Sequence, residues 1–349
     1  MPFYDGYVLT EAEWLLKPIV LKNEVSGIVG EPGVGKDIWL ADLAARWTRG
    51  WPNPPWAPED ALAPEGELPG YVILATPEDS PTDTIGWRLQ SAGADMRLVY
   101  DLNKVQRKKA VAGLQRSRFS VPGDLPHLKH IITQINSGIN PDTGKDLEVM
   151  APVQAVVIGP LASVATETIS HNQAVRQKII EPMQEIAQEC GVAIPLVMHF
   201  NRGSHSKSTP LLDRINGSMA GIAGALRVMS AIMTDDVNPD LRRVMMLKNN
   251  LVKAHDNDVE PLEYIIFGED NDPHVRYRTP TPNVDTASYD QLEARILAEL
   301  ISARRPVSSQ EIAAYMQLAH GIVKQILTKA IREGRVEKYR GAFQMKALT

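Results

Sequence analysis

Residues 30–36 read Gly30-Glu31-Pro32-Gly33-Val34-Gly35-Lys36, a G-x-x-x-x-G-K spacing. Glycines at these positions let consecutive backbone N–H groups turn inward around an anion without Cβ clashes. A helix beginning at Lys36 would add the positive end of its dipole. The Lys36 ammonium would reach the β- and γ-phosphate oxygens as a point charge. The chemistry indicated is capture of a nucleotide's polyphosphate. The bland alternative, a glycine turn between strand and helix, accounts for neither the lysine nor the flanking pattern.

The next position departs from that pattern. A Ser or Thr hydroxyl ordinarily follows the lysine and ligates Mg²⁺, whereas this chain has Asp37. A second acid is expected at the end of an apolar strand, but the suitable strand, Ala155-Val156-Val157-Ile158, runs into Gly159. Two readings compete. In one, Asp37 replaces the lost acid and serves Mg²⁺ as a hard oxygen ligand. In the other the site is degenerate. An unneutralised carboxylate about 5 Å from a phosphate charge costs about 3 kcal/mol at an effective dielectric of about 20, which is roughly a hundredfold in affinity.

Glu78 and Asp79 follow the predicted strand Tyr71–Thr76. A carboxylate there can orient or deprotonate an attacking water; the alternative is a helix-start acid complementing the dipole. Glu78 suits the first role and Asp79 the second. His199 closes the predicted strand Ala193–Met198 and would face the same crevice, either as a group sensing the γ-phosphate or as a satisfied structural histidine. The polar loop after it carries Arg202 and Lys207, which suit a nucleic-acid backbone or simply solvent.

The elements that must position these groups alternate. A strand over Val25–Val29 leads through the glycine loop to a helix over Lys36–Arg49, with Ile38, Ala41, Leu43, Ala44 and Trp47 near helical spacing. Helices are predicted over Ser80–Ala92, Asp124–Asn136, about 172–190 and 217–226. Strands are predicted over Arg97–Leu102, Val153–Ile158, about 226–234 and 243–249, with a meander to 280. Residues 51–70 hold six prolines and read as a surface loop. Residues 103–120 are rich in Lys and Arg and lack acids. Alternation of this kind implies an α/β fold with a mostly parallel sheet covered on both faces, and its ligand at the carboxyl ends of the strands.

Composition bounds the rest. A chain of 349 residues has room for two or three domains. With 44% hydrophobic and 23% charged residues it is neither a disordered nor a fibrous chain. Its 37 Lys and Arg against 42 Asp and Glu give −5, so the whole is not a basic coat, although a local basic surface fits within that average. The single cysteine, Cys190, excludes an internal disulfide or a cysteine-built metal site and suits a reducing cytoplasm. No basic region precedes an apolar run at the start, so no signal peptide is expected. The apolar stretches are shorter than the roughly 20 residues of a membrane span, so no membrane partner is expected.

The domains expected are a leading segment (1–24), an α/β core (25–278), a linker (279–287) and a tail domain (288–349). The tail has its own pattern: residues 285–349 carry ten Lys and Arg against seven Asp and Glu, or +3. Helices are predicted over 288–303, 309–316 and Ala319–Glu333, the second begun by a Ser308-Ser309-Gln310-Glu311 capping box. A hairpin, Arg335–Tyr339 and Ala342–Lys346 around Arg340-Gly341, follows. Three helices and a hairpin resemble a winged helix-turn-helix, whose third helix enters the major groove. Lys324 and Lys329 would then face DNA, with Arg340 at the wing tip. The alternative is a protein-interaction or ring-packing module.

The series GEPGVGKD, ATPEDS, VVIGPLASV, HNQAVRQKIIEPMQEIA, VMHFNRGS, DRINGSMAGIAGALRVM and LKNNL, in this order over about residues 20–270, resembles the RecA-like P-loop ATPases of the RepA hexameric-helicase type, which plasmids, phages and integrated elements carry. The resemblance implies a RecA-like core, a homo-oligomeric ring, usually of six, with ATP and Mg²⁺ at subunit interfaces. Single-stranded DNA would run through the ring. It implies Lys36 for phosphate within the loop Gly30 to Lys36, Glu78 as catalytic base and His199 as sensor, with Asp37 standing beside the nucleotide where the family has Ser or Thr. Arg227 resembles the family's arginine finger, which acts in the neighbouring subunit's site, and Lys248 is a second trans candidate; a helix-end or strand-start cation is the alternative for Arg227. Asp37 and Gly159 depart from the family on the metal side. A hydrolysis-deficient scaffold that binds DNA or a partner is therefore the competing function.

Overall fold

The computed structural model of the chain describes residues 11–55, 66–78, 80–109, 113–166, 172–200, 211–215, 219–235, 238–251, 262–269, 272–278, 289–303, 305–316, 320–339 and 341–346. A short hairpin, β1 (Trp14–Leu16) and β2 (Val20–Leu21), comes first. Its Leu15, Leu16, Ile19 and Val20 are buried with the core residues of the first helix. The strand β3 (Val25–Gly30) leads through the glycine loop into α1 (Lys36–Arg49). Then come β4 (Tyr71–Ala75), α2 (Ile85–Ser91), β5 (Val99–Asp101), a hairpin of β6 (Lys104–Lys109) and β7 (Gly113–Arg118), and α3 (Leu125–Asn136). Next are β8 (Val153–Ile158), α4 (Leu161–Val164), α5 (Asn172–Val175), α6 (Glu181–Cys190) and β9 (Ile194–His199). After α7 (Met219–Ala225) the chain runs β10 (Val228–Thr234), β11 (Leu241–Asn249), β12 (Leu262–Glu269) and β13 (Asp272–Arg278).

One nine-stranded sheet has the order β13-β12-β11-β10-β3-β9-β8-β4-β5. The strands from β10 to β5 are parallel, and β11 to β13 extend the sheet antiparallel. β3 and β4 are buried along their whole length, as strands covered on both faces must be. Alternation sorts their side chains: Val72 and Leu74 pack on the side of α1 and α2, while Tyr71, Ile73 and Ala75 pack on the side of α3 and α6. This mixed α/β architecture with a large, mostly parallel sheet fits a P-loop nucleoside-triphosphatase domain.

Local chemistry explains where elements begin. α2 starts at Ile85, not Ser80, because the Thr84 hydroxyl accepts from Ser80 N (2.7 Å) and donates to Ser80 O (2.9 Å). That closed side-chain turn pre-empts the first helical turn. The strand expected from Arg97 is shortened to β5 by a 3₁₀ turn at Met96–Leu98, which Asp95 opens by accepting from Arg97 N at 3.1 Å. The helix expected over 172–190 is continuous but contains a π turn at Arg176–Ile180. The basic stretch forms the β6–β7 hairpin, with Lys104 opposite Arg118. Among the described residues no helix is long and apolar enough to cross a membrane.

The tail folds around its own apolar cluster. α8 (Tyr289–Ala303) supplies Leu292, Ile296 and Leu300; α9 (Ser309–Met316) supplies Ile312; α10 (His320–Arg332) supplies Val323, Ile326 and Leu327. The hairpin β14 (Val336–Tyr339) and β15 (Ala342–Met345) closes it with Val336 and Phe343. The capping box is present: Ser308 Oγ accepts from Glu311 N (3.1 Å) and Glu311 Oε2 accepts from Ser308 N (2.8 Å). Val307, between α8 and α9, pairs antiparallel with Phe343 as a third strand position that the sequence pattern does not reveal. The tail meets β13 through the Tyr315 hydroxyl, which donates to Tyr277 O at 3.2 Å, and through Arg278 stacked over the Tyr315 ring.

Candidate nucleotide site

Sheet order brings the chemical groups to one edge. Gly30 ends β3 and pairs with His199 at the end of β9. β8 and β4 lie next in the sheet, with Ile158 paired to Ala75, so Gly159 and Glu78 emerge at the same carboxyl edge. Gly33 and Gly35 have φ of +78° and +90°, a left-handed region that costs L side chains but not glycine. Gly35 is also the N-cap of α1, so the loop delivers its amides at a helix N-terminus.

Lys36 is buried, with 2% exposure. Its ammonium donates to the carbonyls of Gly30 (3.1 Å) and Glu31 (2.8 Å) and lies 3.2 Å from His199 Nδ1. An ammonium has no lone pair, so Nδ1 faces it as an acceptor; the Gly30 carbonyl at 3.4 Å from Nδ1 is then a neighbour and not a hydrogen-bond partner. Burial pushes the Lys36 pKa below its ordinary value, against the pull of Asp37, Glu31 and Glu78. Burial and then the Lys36 charge lower that of His199. This is a cation held by groups that phosphate oxygens can replace.

Two residues that motif reading missed brace the loop. Arg242 of β11 donates from Nε to Val34 O at 2.9 Å. Ile266 of β12 stands over Gly35, where any added Cβ would collide with it. Both come from the antiparallel extension, which Tyr277 ties to α1 by donating to Asp42 Oδ2 at 2.5 Å. They lie more than 200 residues beyond the loop, and no local spacing announces them.

Glu78 is exposed at the edge and accepts from the Ser163 hydroxyl after β8. The metal side differs from the ordinary pattern in geometry as well as in sequence. Gly159 has φ +137°, and a Cβ there would sit 2.7 Å from Val197 O and 3.1 Å from Leu161 N, both backbone atoms. The backbone therefore refuses an aspartate at 159. Asp37 Oδ2 lies 3.9 Å from Nη1 of Arg88 on α2. Thr76, just past β4, is buried, and its hydroxyl finds no hydrogen-bond partner among the described residues. The loop fits a polyphosphate. The residues beside it do not make an ordinary Mg²⁺ site, because one acid position is closed and the remaining carboxylate has an arginine partner.

A family model described as AAA domain matches residues 3–205. The chain belongs to the AAA-domain family. Family membership implies an ATP-binding ATPase, usually with Mg²⁺. No curated protein matches the chain. The match spans β1 to β9 of this AAA domain, including the phosphate loop, Glu78, Gly159 and His199.

Arg227 and Lys248 lie outside that span, at the other end of the sheet. Arg227 immediately precedes β10 and pairs with Glu24, which precedes β3. Five to six residues of strand separate this pair from Gly30, about 16–20 Å at about 3.3 Å per residue. Lys248 pairs in register with Met229 and donates to Leu226 O (2.6 Å) and Ala223 O at the end of α7. Neither cation reaches the phosphate loop of its own AAA domain.

Of the tail residues, Lys324 is exposed on α10, beside Gln325 and Thr328. Lys329 is held by Glu293 of α8 at 2.6 Å, and Arg335 pairs with the same carboxylate. Its charge is therefore partly spent inside the domain. Asp79, Arg202, Lys207 and Arg340 lie outside the described residues.

Proposed function

We propose that this AAA domain is a RecA-like ring ATPase of the RepA hexameric-helicase type. It would act on DNA during replication of a plasmid, phage or integrated element. The observation that carries the reading is the buried Lys36 ammonium, bonded to its own loop carbonyls beside His199 at the N-terminus of α1. In this reading Gly30 to Lys36 hold the phosphates. Glu78 orients the attacking water and His199 senses the γ-phosphate. Arg227, 46% exposed at the far end of the sheet, acts in a neighbouring subunit's site, where an arginine finger is worth about 10³–10⁵ in rate. Single-stranded DNA passes through the ring, near Arg202 and Lys207.

The helix–strand–helix–helix–hairpin order of the tail, with Val307 paired to Phe343, favours a winged helix-turn-helix. Its α10 would present Lys324 to duplex DNA, with Arg340 at the wing; Lys329 contributes less because Glu293 holds it. A second reading, a nucleotide-binding scaffold that does not hydrolyse, is favoured by the closed acid position at Gly159 and the Asp37–Arg88 pair.

The test is ATP turnover by the purified chain with and without single-stranded DNA, alongside Lys36→Ala and Glu78→Gln and a native mass with nucleotide. A motor shows DNA-stimulated turnover that both substitutions abolish, and a ring mass. Nucleotide binding lost in Lys36→Ala but no turnover in the wild type selects the scaffold. Wild type that binds no nucleotide overturns both.

A further inference from the structure

The metal side of the crevice carries a second conclusion, which rests on the nucleotide-binding reading above. We infer that Arg88 neutralises Asp37 on the side of the crevice where ordinary P-loop sites hold a divalent ion, so that this chain holds a nucleotide polyphosphate without a metal.

Charge and geometry lead there together. An ordinary site has a neutral hydroxyl after the lysine and an acid at the end of the neighbouring strand. This chain moves its acid to Asp37 and closes the strand-end position, since a Cβ on Gly159 would meet the Val197 and Leu161 backbone. Alone, the Asp37 carboxylate would leave this side of the crevice negative where an incoming phosphate is negative too. Arg88 Nη1, 3.9 Å from Asp37 Oδ2, cancels that charge.

The pair is placed to meet a ligand. The two side chains are 25% and 43% exposed, so they stand at the mouth of the crevice and not in the core. A guanidinium is always charged and sheds water more readily than an ammonium, so it can hold its charge against Asp37 at a half-open site. Mg²⁺ demands near-ideal octahedral oxygen ligation. The small hollow beside Asp37 is lined by Leu74, Ile85, Leu89 and Val157, which offer no oxygen ligands. Its one other polar group is the Thr76 hydroxyl, 7% exposed and without a partner among the described residues. Such a group is costly unless something bonds it, and the hollow, about 10 Å³, has room for one water to do so.

The test is binding of a fluorescent ATP analogue to the full chain, followed by anisotropy, in Mg²⁺ and in EDTA. Wild-type affinity is expected to agree within about threefold between the two. Arg88→Ala is expected to lose about a hundredfold in EDTA, the effect of one uncompensated charge near a phosphate, and to recover in Mg²⁺, which Asp37 can then attract. Arg88→Lys should keep most metal-free affinity. Arg88→Ala with Asp37→Asn should regain it, which no folding defect of the single variant could imitate. Wild-type binding that falls more than tenfold in EDTA overturns the inference and leaves the nucleotide reading intact. Arg88→Ala indistinguishable from wild type in EDTA also overturns it. Binding in neither condition overturns both.

Discussion

Lys36 and Lys248 make the same local bonds at opposite ends of one sheet. Each ammonium donates to two backbone carbonyls, Gly30 and Glu31 for Lys36, Ala223 and Leu226 for Lys248. Burial lowers the pKa of both. Their surroundings differ. The acceptors of Lys36 belong to a left-handed glycine loop at a helix N-terminus, with His199 alongside. The acceptors of Lys248 lie at the C-terminal end of α7, where carbonyls lack helical partners and a lysine completes them. A lysine folded onto carbonyls therefore marks a ligand site where the N-terminus of a helix opens beside it. Elsewhere it is a cap.

The sharpest way to test the difference between the two ends is to ask whether the far end serves another subunit. Arg227→Ala is expected to lower DNA-stimulated turnover about 10³-fold while nucleotide affinity stays within a few-fold. Stability should fall by no more than about 1 kcal/mol, since Arg227 makes a half-exposed ion pair with Glu24. Mixing Arg227→Ala with Lys36→Ala subunits should restore part of the activity, because a mixed interface joins an intact finger to an intact loop. Unchanged turnover in Arg227→Ala would make the residue a partner for Glu24 and nothing more.

Lys248→Ala tests the cap and should produce a stability effect. It leaves the Ala223 and Leu226 carbonyls without their donor, which costs about 1–3 kcal/mol for a buried unsatisfied group. A fall in the denaturant midpoint with nucleotide affinity unchanged supports the cap. Unchanged stability with lost turnover would move Lys248 into the trans site with Arg227.

How much of this was legible in sequence depended on distance along the chain. The phosphate loop and α1 were, because seven contiguous residues carry both the φ requirements and the charge. So were the apolar strands β3, β8 and β9, and the Ser308–Glu311 box, whose signals are local. Arg88 and Arg242 were not. Their roles come from a helix and a strand of the antiparallel extension folding back over the loop, and an arginine in a helix or strand has no spacing that says what it will meet. The refusal of a side chain at Gly159 was also hidden, since it depends on Val197 in the adjacent strand. The partner of Lys329 was hidden too, because the acid that holds it, Glu293, lies on another helix.

The smallest expected effect concerns pH and separates the two lysines' environments. Burial first, and the Lys36 charge second, hold the His199 pKa below its usual 6.5. Below that value the unfolded chain binds a proton that the folded chain resists, so stability is full above about pH 6.5 and falls as the pH drops through the window beneath it. Lys248 has no histidine beside it in its bonded set and adds nothing there. Urea midpoints at about pH 7.5, 6.5 and 5.5 should fall less steeply for His199→Gln than for wild type. Some slope will persist in both, because burial also lowers His127. A bound polyphosphate opposes the shift at this site: anions beside the ring favour the imidazolium, so saturating nucleotide should flatten the wild-type curve toward that of the variant. Superimposed curves for variant and wild type without nucleotide would show that His199 is not held neutral by burial and Lys36, and would remove the ring from the phosphate end of the comparison.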